Sequence, residues 1–316
     1  MADNFLRRLF NRSSKDTAVP LAGVRPTLEF QPLRPPGVAG SSVGAEMLEI
    51  RVDIGTLSDV GCVREVNEDS IRVIRPTDPN ELAKRGILVV VADGMGGHNA
   101  GEIASRLAVE AVVERYADET QDPGTALARS IERANRIIVD AAAKDARYTG
   151  MGTTCTALLL RGGLAFCAHV GDSRLYFVRG NDILLMTEDH SAVMDMVKRG
   201  TITADEARHH PDKHVIVRAL GVRGDVEVAT WEKPLAVRPG DTFLICSDGL
   251  YNVVEDNELF DAMRGSSPQR ACERLVELAR QRGGPDNITV GIITVTDSAA
   301  TSATAAKVAR ATEVRP

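Results

Sequence analysis

The chain has 316 residues, 43% of them apolar and 26% charged, which suits a globular protein with a core of ordinary size. Its net charge of -6 argues against a nucleic-acid binder, which normally shows a basic face. No apolar run approaches the roughly 20 residues that cross a bilayer, and the five cysteines contain no C-x-x-C pair.

Residues 1–46 read as a disordered, proline-rich tail, with Pro20, Pro26, Pro32, Pro35 and Pro36 and no sustained period. Within it, Phe5, Leu6, Leu9 and Phe10 beside Arg7, Arg8 and Arg12 outline a short amphipathic stretch suited to a membrane surface or a partner. A frayed terminus is the preferred reading, because about twelve residues is marginal for an isolated helix. No continuous apolar segment follows the arginines, so a signal peptide is not expected.

A folded domain is predicted over 47–297. Strands are predicted at 48–57, 70–75, 86–92, 153–160, 164–170, 173–179, 242–246 and 287–295, each rich in Val, Ile, Leu or Thr and bounded by Gly, Asp or Asn. Helices are predicted at 100–117, 124–145 and 268–281. In the second, Leu127, Ile131, Ala134, Ile138 and Ala141 recur at helical spacing after an Asp122-Pro123 start signal. Residues 298–316 are low in complexity and read as a second disordered tail. The links between 153–160, 164–170 and 173–179 are too short for parallel crossovers, which need a dozen residues or more. An α+β fold with mainly antiparallel sheets and helices packed outside is therefore expected. Cys155, Cys167 and Cys246 lie inside apolar runs and are read as buried free thiols, which implies a reducing, cytoplasmic location.

Acidic residues gather at strand ends: Glu68-Asp69, Asp93-Gly94, Asp172, Asp248-Gly249 and Asp286. A single Asp-Gly after an apolar strand is usually a turn. The conjunction reads differently. Unpaired carboxylates beside buried strands are costly, and converging ones repel unless protons or cations neutralise them. An all-oxygen set favours hard ions, Mg²⁺ or Mn²⁺, over zinc.

The ordered segments SDVGCVREVNEDS, VVVADGMGGHNAGEIAS, GTTCTALLL, HVGDSRLY, TEDHS, ALG, LICSDGLYN and GGPDNITV, spread over about 50–297, resemble the metal-dependent protein phosphatases of type 2C. Gly-Met-Gly-Gly after Asp93 is similar to the bacterial members. The resemblance implies two packed antiparallel sheets flanked by helices, a four-layer αββα sandwich. It implies hydrolysis of phosphoserine and phosphothreonine by direct attack of a metal-bridged hydroxide, with no phosphoenzyme. Asp93 would bridge two metals and the Gly94 carbonyl would bind one of them. Asp248 and Asp286 would bind the other, with Glu68 and Asp69 holding metal-bound water or assisting coordination. Asp172, with Asp248, would form a third, weaker site. Arg64 would grip the substrate phosphate, its planar fork suiting two oxygens at once; a surface ion pair is the plainer alternative. The expected partners are phosphoproteins, serine/threonine kinases and their targets among them, and a monomer is expected.

Animal relatives carry a histidine directly after the Asp-Gly pair, where this chain has Met95. His98 is the candidate general acid in its place, with a helix cap as the blander reading. Residues 191–220 resemble the flap of bacterial members, with a helical stretch at 194–199. Its His209, His210 and His214 read as exposed loop residues, since Pro211 breaks the helix that would align the last two. The glycine loop after Asp93 lacks both the G-x-G-x-x-G order and a Walker lysine, against a kinase or dehydrogenase. A degenerate phosphoprotein-binding module should lack a bridging carboxylate, yet Asp93, Asp248 and Asp286 are all present. A small-phosphoester hydrolase is the remaining alternative.

Overall fold

The computed structural model describes residues 51–96, 100–118 and 121–297. The two predicted tails, the stretch at 5–10 and His98 lie outside the described residues.

In chain order the elements are β1 (Arg51–Asp59), β2 (Asp69–Ile74), α1 (Pro79–Arg85), β3 (Ile87–Met95), α2 (Ala100–Arg115) and α3 (Pro123–Lys144). The short β4 (Gly152–Thr153) precedes β5 (Cys155–Arg161), β6 (Leu164–Val170), β7 (Arg174–Arg179) and β8 (Asp182–Leu185). Then come α4 (Ala192–Lys198), α5 (Ala204–His209), β9 (Ala229–Thr230), β10 (Leu235–Ala236) and β11 (Thr242–Cys246). The last are α6 (Asp248–Tyr251), α7 (Asp256–Met263), α8 (Pro268–Gln281) and β12 (Ile288–Thr296).

One sheet runs β1-β12-β11-β7-β8 and the other β10-β6-β5-β3-β2, with β4 on β3 and β9 on β6. Every pairing is antiparallel. Strand alternation builds the layers, because successive side chains point to opposite faces. Along β3, Ile87, Val89 and Val91 meet Leu175, Phe177, Phe243, Ile245 and Ile293 of the other sheet. Leu88, Val90 and Ala92 instead pack under α2 and α3, against Ala104, Ala108, Val112, Leu127 and Ile131. On the opposite side Leu244, Cys246, Val290 and Ile292 face Leu259, Cys272, Leu275 and Ala279 of α7 and α8. The order of layers is thus helix, sheet, sheet, helix, as expected. Full burial of each large side chain in these seams contributes about 1.5–3 kcal/mol.

Local signals set the long helices. The Asp122 carboxylate accepts from the amides of Gly124 and Thr125, with Pro123 in the first turn of α3. Pro268 likewise opens α8, whose Ala271, Cys272, Leu275, Val276 and Ala279 form one buried stripe. The predicted strand at 86–92 continues to Met95, which carries Asp93 and Gly94 into the ladder. Elements missing from the sequence reading are short: α1, α5, α6, α7 and the strands β8, β9 and β10. Helix α7 has eight residues and two buried positions, too few turns for a period to stand out.

Candidate active site

The alternation that points Val89 and Val91 between the sheets places Asp93 at the mouth of the same seam. Asp69 is its register partner across β2 and β3. Asp69 is buried, and its Oδ2 accepts from Ser247 Oγ at 2.7 Å, a bond from the end of β11 in the other sheet. Ser247 Oγ in turn accepts from the Thr289 amide at 3.0 Å. The main chain of Asp93 is fixed independently: its amide donates to Thr154 Oγ1 at 2.9 Å, and its carbonyl accepts from Thr153 Oγ1 and the Thr154 amide, each at 2.9 Å.

A cleft of about 570 Å³ opens over this seam, and its walls include Arg64, Glu68, Asp93, Gly94, Asp172, Asp248 and Asp286. Every predicted site residue among the described ones therefore lines one cleft, except Asp69, which lies beside Asp93. Neither Asp-Gly pair is a turn. Gly94 stays in β3, opposite Thr153, and Gly249 lies in α6. Close approach explains both glycines. A Cβ on Gly94 would sit 2.2 Å from the Gly101 carbonyl oxygen, and one on Gly249 would sit 2.0 Å from that of Asn287.

The electrostatics are those of crowded carboxylates. Burial first, then the charges of Asp69, Asp248, Asp172 and Asp286, hold the Asp93 carboxyl well above the usual range. Burial pushes Asp69 up to about 7 against the opposing hydrogen bonds of Ser247 and Thr289. Asp172 is also raised well above its ordinary value by burial and then by Asp248 and Asp189. Glu68 is raised by burial, with Arg64 opposing. The protein's own cations do little to offset this. Arg64 Nη2 donates to Asp286 Oδ2 at 2.9 Å at the exposed rim, and His214 Nδ1 lies 3.8 Å from Asp248 Oδ2.

This set fits a hard divalent cation. Asp69 Oδ1 and Asp172 Oδ1 are buried without a hydrogen-bond partner, which is costly for a carboxylate unless a cation faces it. The donors are all oxygen, as Mg²⁺ and Mn²⁺ prefer. Among the described residues, no three His, Cys, Asp or Glu side chains converge on one point as they stand. The fit therefore rests on the orphaned oxygens and the mutual repulsion, not on a preformed cage.

Residues that the sequence reading gave no role hold the acids in place. Asn287 Oδ1 accepts from the Glu68 amide at 2.8 Å, while its Nδ2 donates to the carbonyls of Val60 and Val66, each at 3.0 Å. It thereby ties the loop carrying Arg64 and Glu68 to Asp286. Arg174 pairs with the buried Asp189, with Nη2 to Oδ2 at 2.7 Å. The Arg174 guanidinium also lies 3.7 Å from the Tyr251 ring centroid, and the Tyr251 hydroxyl donates to the Asp172 carbonyl at 3.0 Å. The one signal for these in the sequence was adjacency: Asn287, Arg174 and Ser247 each sit within two residues of a candidate ligand.

The segment read as a flap differs from that reading: His209 ends a helix rather than lying in a loop, and His210, its cap, is half-buried rather than exposed. Its first helix is Ala192–Lys198, followed by a second, α5, opened by a Thr203–Glu206 capping box. His214 is exposed, as expected, but it also lines the cleft with Lys213 and Ile216. The chain returns across the flap to the cleft, a tertiary placement that helix periodicity does not carry.

A sequence profile described as protein phosphatase 2C matches residues 65–281. The serine/threonine phosphatase stp of Listeria welshimeri is 37% identical over 242 residues, spanning 75% of this chain and 93% of that protein. The crystal structure of the Mycobacterium tuberculosis serine/threonine phosphatase PstP/Ppp superposes with a TM-score of 0.70 at 35% identity, covering 78% of this chain and 99% of that one. The catalytic domain of the phosphatase PstP in complex with two manganese ions gives a TM-score of 0.66 at 34% identity, with the same coverage. The chain belongs to the protein phosphatase 2C family. The family resemblance and the layered architecture it implied both hold.

Proposed function

We propose that this chain hydrolyses phosphoserine and phosphothreonine on proteins, using divalent cations held at the open end of the seam between its two sheets. The carrying observation is the gathering of Glu68, Asp69, Asp93, Asp172, Asp248 and Asp286 there, with two orphaned buried carboxylate oxygens. Asp93, with the Gly94 carbonyl, Asp248 and Asp286, would hold two Mn²⁺ or Mg²⁺ ions, with Glu68 and Asp69 assisting. Asp172 would hold a third. When bound, such ions supply an acidified water and neutralise the phosphate charge.

The protein's own groups do the rest. Arg64 offers the phosphate a charged fork at the rim of the cleft, with Asp286 orienting it at 2.9 Å. Arg64→Ala is expected to lower kcat/KM for a phosphothreonine peptide by about 10–100-fold, the loss of a hydrogen bond to a charged group. Arg64→Lys should recover only part of it. Unchanged kcat/KM in steady-state kinetics would return Arg64 to a surface ion pair.

Polypeptide substrates are favoured over small esters by the cleft rim. Val63, Val215, Val217 and Val222 are the exposed large apolar side chains among the described residues. Val63 adjoins Arg64, and Val215 and Val217 flank Ile216; Arg64 and Ile216 themselves line the cleft. Exposed apolar surface beside a polar site marks contact with a partner. Serine/threonine kinases and their targets are the natural phosphoproteins for such a site. The five cysteines are free, which supports a reducing cytoplasm as its location.

The test is phosphate release from a phosphothreonine peptide by the full chain, with Mn²⁺ and then with excess EDTA. Release that EDTA abolishes is expected. A folded sample that releases nothing with Mn²⁺ would instead favour a phosphoprotein-binding role.

A further inference from the structure

We infer that His190 is a positioning residue that locks the flap to the turn carrying Asp172, so that this carboxylate and the flap's cleft-lining segment are placed as one unit. The inference rests on the phosphatase reading for its kinetic consequence, but not for its structural one.

His190 is buried at the junction of three segments. Its amide donates to the Gly171 carbonyl at 2.7 Å, and its ring Nδ1 accepts from the Gly171 amide at 3.0 Å. The peptide groups on both sides of Gly171, directly before Asp172, are thus held by one residue at the root of the flap. The same residue grips the chain returning from the flap. Its carbonyl accepts from the Val217 amide at 2.9 Å, and Arg218 Nη1 lies 3.2 Å from Nε2. One residue further on, Ser191 bridges Ile216, which lines the cleft with Lys213 and His214.

The clamp has a rigid back. The His190 ring stacks on that of the buried His169, with centroids 4.9 Å apart. His169 Nδ1 is 2.8 Å from Thr156 Oγ1, and its Nε2 is 3.2 Å from the Glu188 carbonyl. Gly171 cannot relax away from this arrangement by accepting a side chain. Its φ is +111°, and a Cβ there would sit 2.5 Å from Thr154 Cγ2. Asp172 follows with a buried Oδ1 that no hydrogen bond orients. The placement of that oxygen is therefore left to the backbone, which His190 holds before Asp172 and the Tyr251 hydroxyl holds after it. Partners of this indirect kind set the affinity of the ligands they orient, typically by 10–100-fold.

The experiment compares the full-length wild type with His190→Leu and His190→Asn. Asn keeps an acceptor near the position of Nδ1, whereas Leu fills the space without one. Calorimetric Mn²⁺ titration without substrate is expected to show the weakest site lost or weakened about tenfold in His190→Leu, and restored in His190→Asn. The KM for a phosphothreonine peptide should rise with it and recover with it, while kcat changes less. Folded His190→Leu with wild-type Mn²⁺ binding would overturn the inference, as would His190→Asn behaving like His190→Leu. Should His190→Leu fail to fold, hydrogen exchange on the wild type decides. Adding Mn²⁺ is expected to slow exchange of the Gly171 and Val217 amides together; slowing of Gly171 alone would break the coupling. Metal binding and exchange are read without turnover, so a wild type that binds Mn²⁺ as described yet releases no phosphate would fail the functional proposal and leave this one standing.

Discussion

Asp93→Asn is expected to cut phosphate release by about a thousandfold or more, while raising the thermal midpoint of the metal-free protein. The two effects have one cause. Asp93 faces Asp69, Asp172, Asp248 and Asp286 across a buried seam, and burial with those charges drives its carboxyl well above the ordinary range. In the metal-free protein at neutral pH, folding must either keep this charge buried or bind a proton that the unfolded chain lacks, and both oppose folding. Asn has nearly the same shape and needs no proton to stay neutral, so the substitution removes that cost without opening a cavity. The local backbone does not depend on the carboxylate, since Thr153 and Thr154 hold its amide and carbonyl. Activity responds in the opposite direction, because the neutral amide would be a poor ligand for the cations that Asp93 is proposed to hold. Metal clamping of both sides of a displacement is worth several kcal/mol, about a thousandfold in rate at 4 kcal/mol. Differential scanning fluorimetry with and without Mn²⁺ checks the stability half. A rise of a few degrees without metal is expected, since 1 kcal/mol moves a domain of this size by about 2–4 °C. The Mn²⁺-induced rise should shrink or vanish in the variant. Normal turnover by Asp93→Asn would remove Asp93 from the metal site, and a lower metal-free midpoint would contradict the repulsion.

How far the sequence carried this argument depended on the kind of information each feature needs. The strands Leu164–Val170 and Thr242–Cys246 and the helix Pro268–Gln281 match their predicted bounds. Each is a periodic or unbroken apolar run closed by Gly, Asp or Ser, so the signal is local. The acids were legible because several appear at strand ends, and an ordered set of such segments is far more specific than any one Asp-Gly. Their geometric logic was less visible. Gly94 and Gly249 are glycines because another backbone passes within contact distance, and the partners Gly101 and Asn287 come from elsewhere in the chain. The residues that hold the acids were missed for the same reason. Ser247 reaches Asp69 and Asn287 reaches Glu68 across sequence separations of 178 and 219. No period or propensity encodes such a contact; only the packing of one sheet on the other creates it. His214 shows the reverse case. Its exposure was read from its loop, but its place at the cleft follows from the flap folding back.

Metal binding should stabilise this protein more as pH rises from about 7 to 8.5. Asp69 is pushed up to about 7, and Asp93 is also raised well above its ordinary value, so near the lower end of that window the folded metal-free state binds protons that the unfolded chain, with ordinary aspartates, has already lost. Stability then falls with pH, because the slope follows the protons bound by the unfolded state minus those bound by the folded one. The buried histidines act the other way but elsewhere. His169 is lowered to about 4 and His190 to about 3, chiefly by burial, so their contribution grows as pH rises towards the ordinary value of 6.5. Above about pH 7 that contribution is complete, and the carboxyls set the trend together with the buried thiols of Cys155, Cys167, Cys246 and Cys272, which burial keeps protonated while the unfolded thiols begin to ionise. Cations compete with the protons on those same oxygens. At pH 7 an ion must displace the protons that Asp69 in part still holds, whereas at higher pH this carboxylate is increasingly ionised and the gain from binding is larger. The midpoint without metal is therefore expected to fall across the window, and the midpoint with saturating Mn²⁺ to fall less. Calorimetric titration in buffers of different ionisation enthalpy should record proton release near pH 7 that diminishes by pH 8.5. A Mn²⁺ shift that is constant with pH, with no proton release, would mean that the ion binds away from these carboxylates.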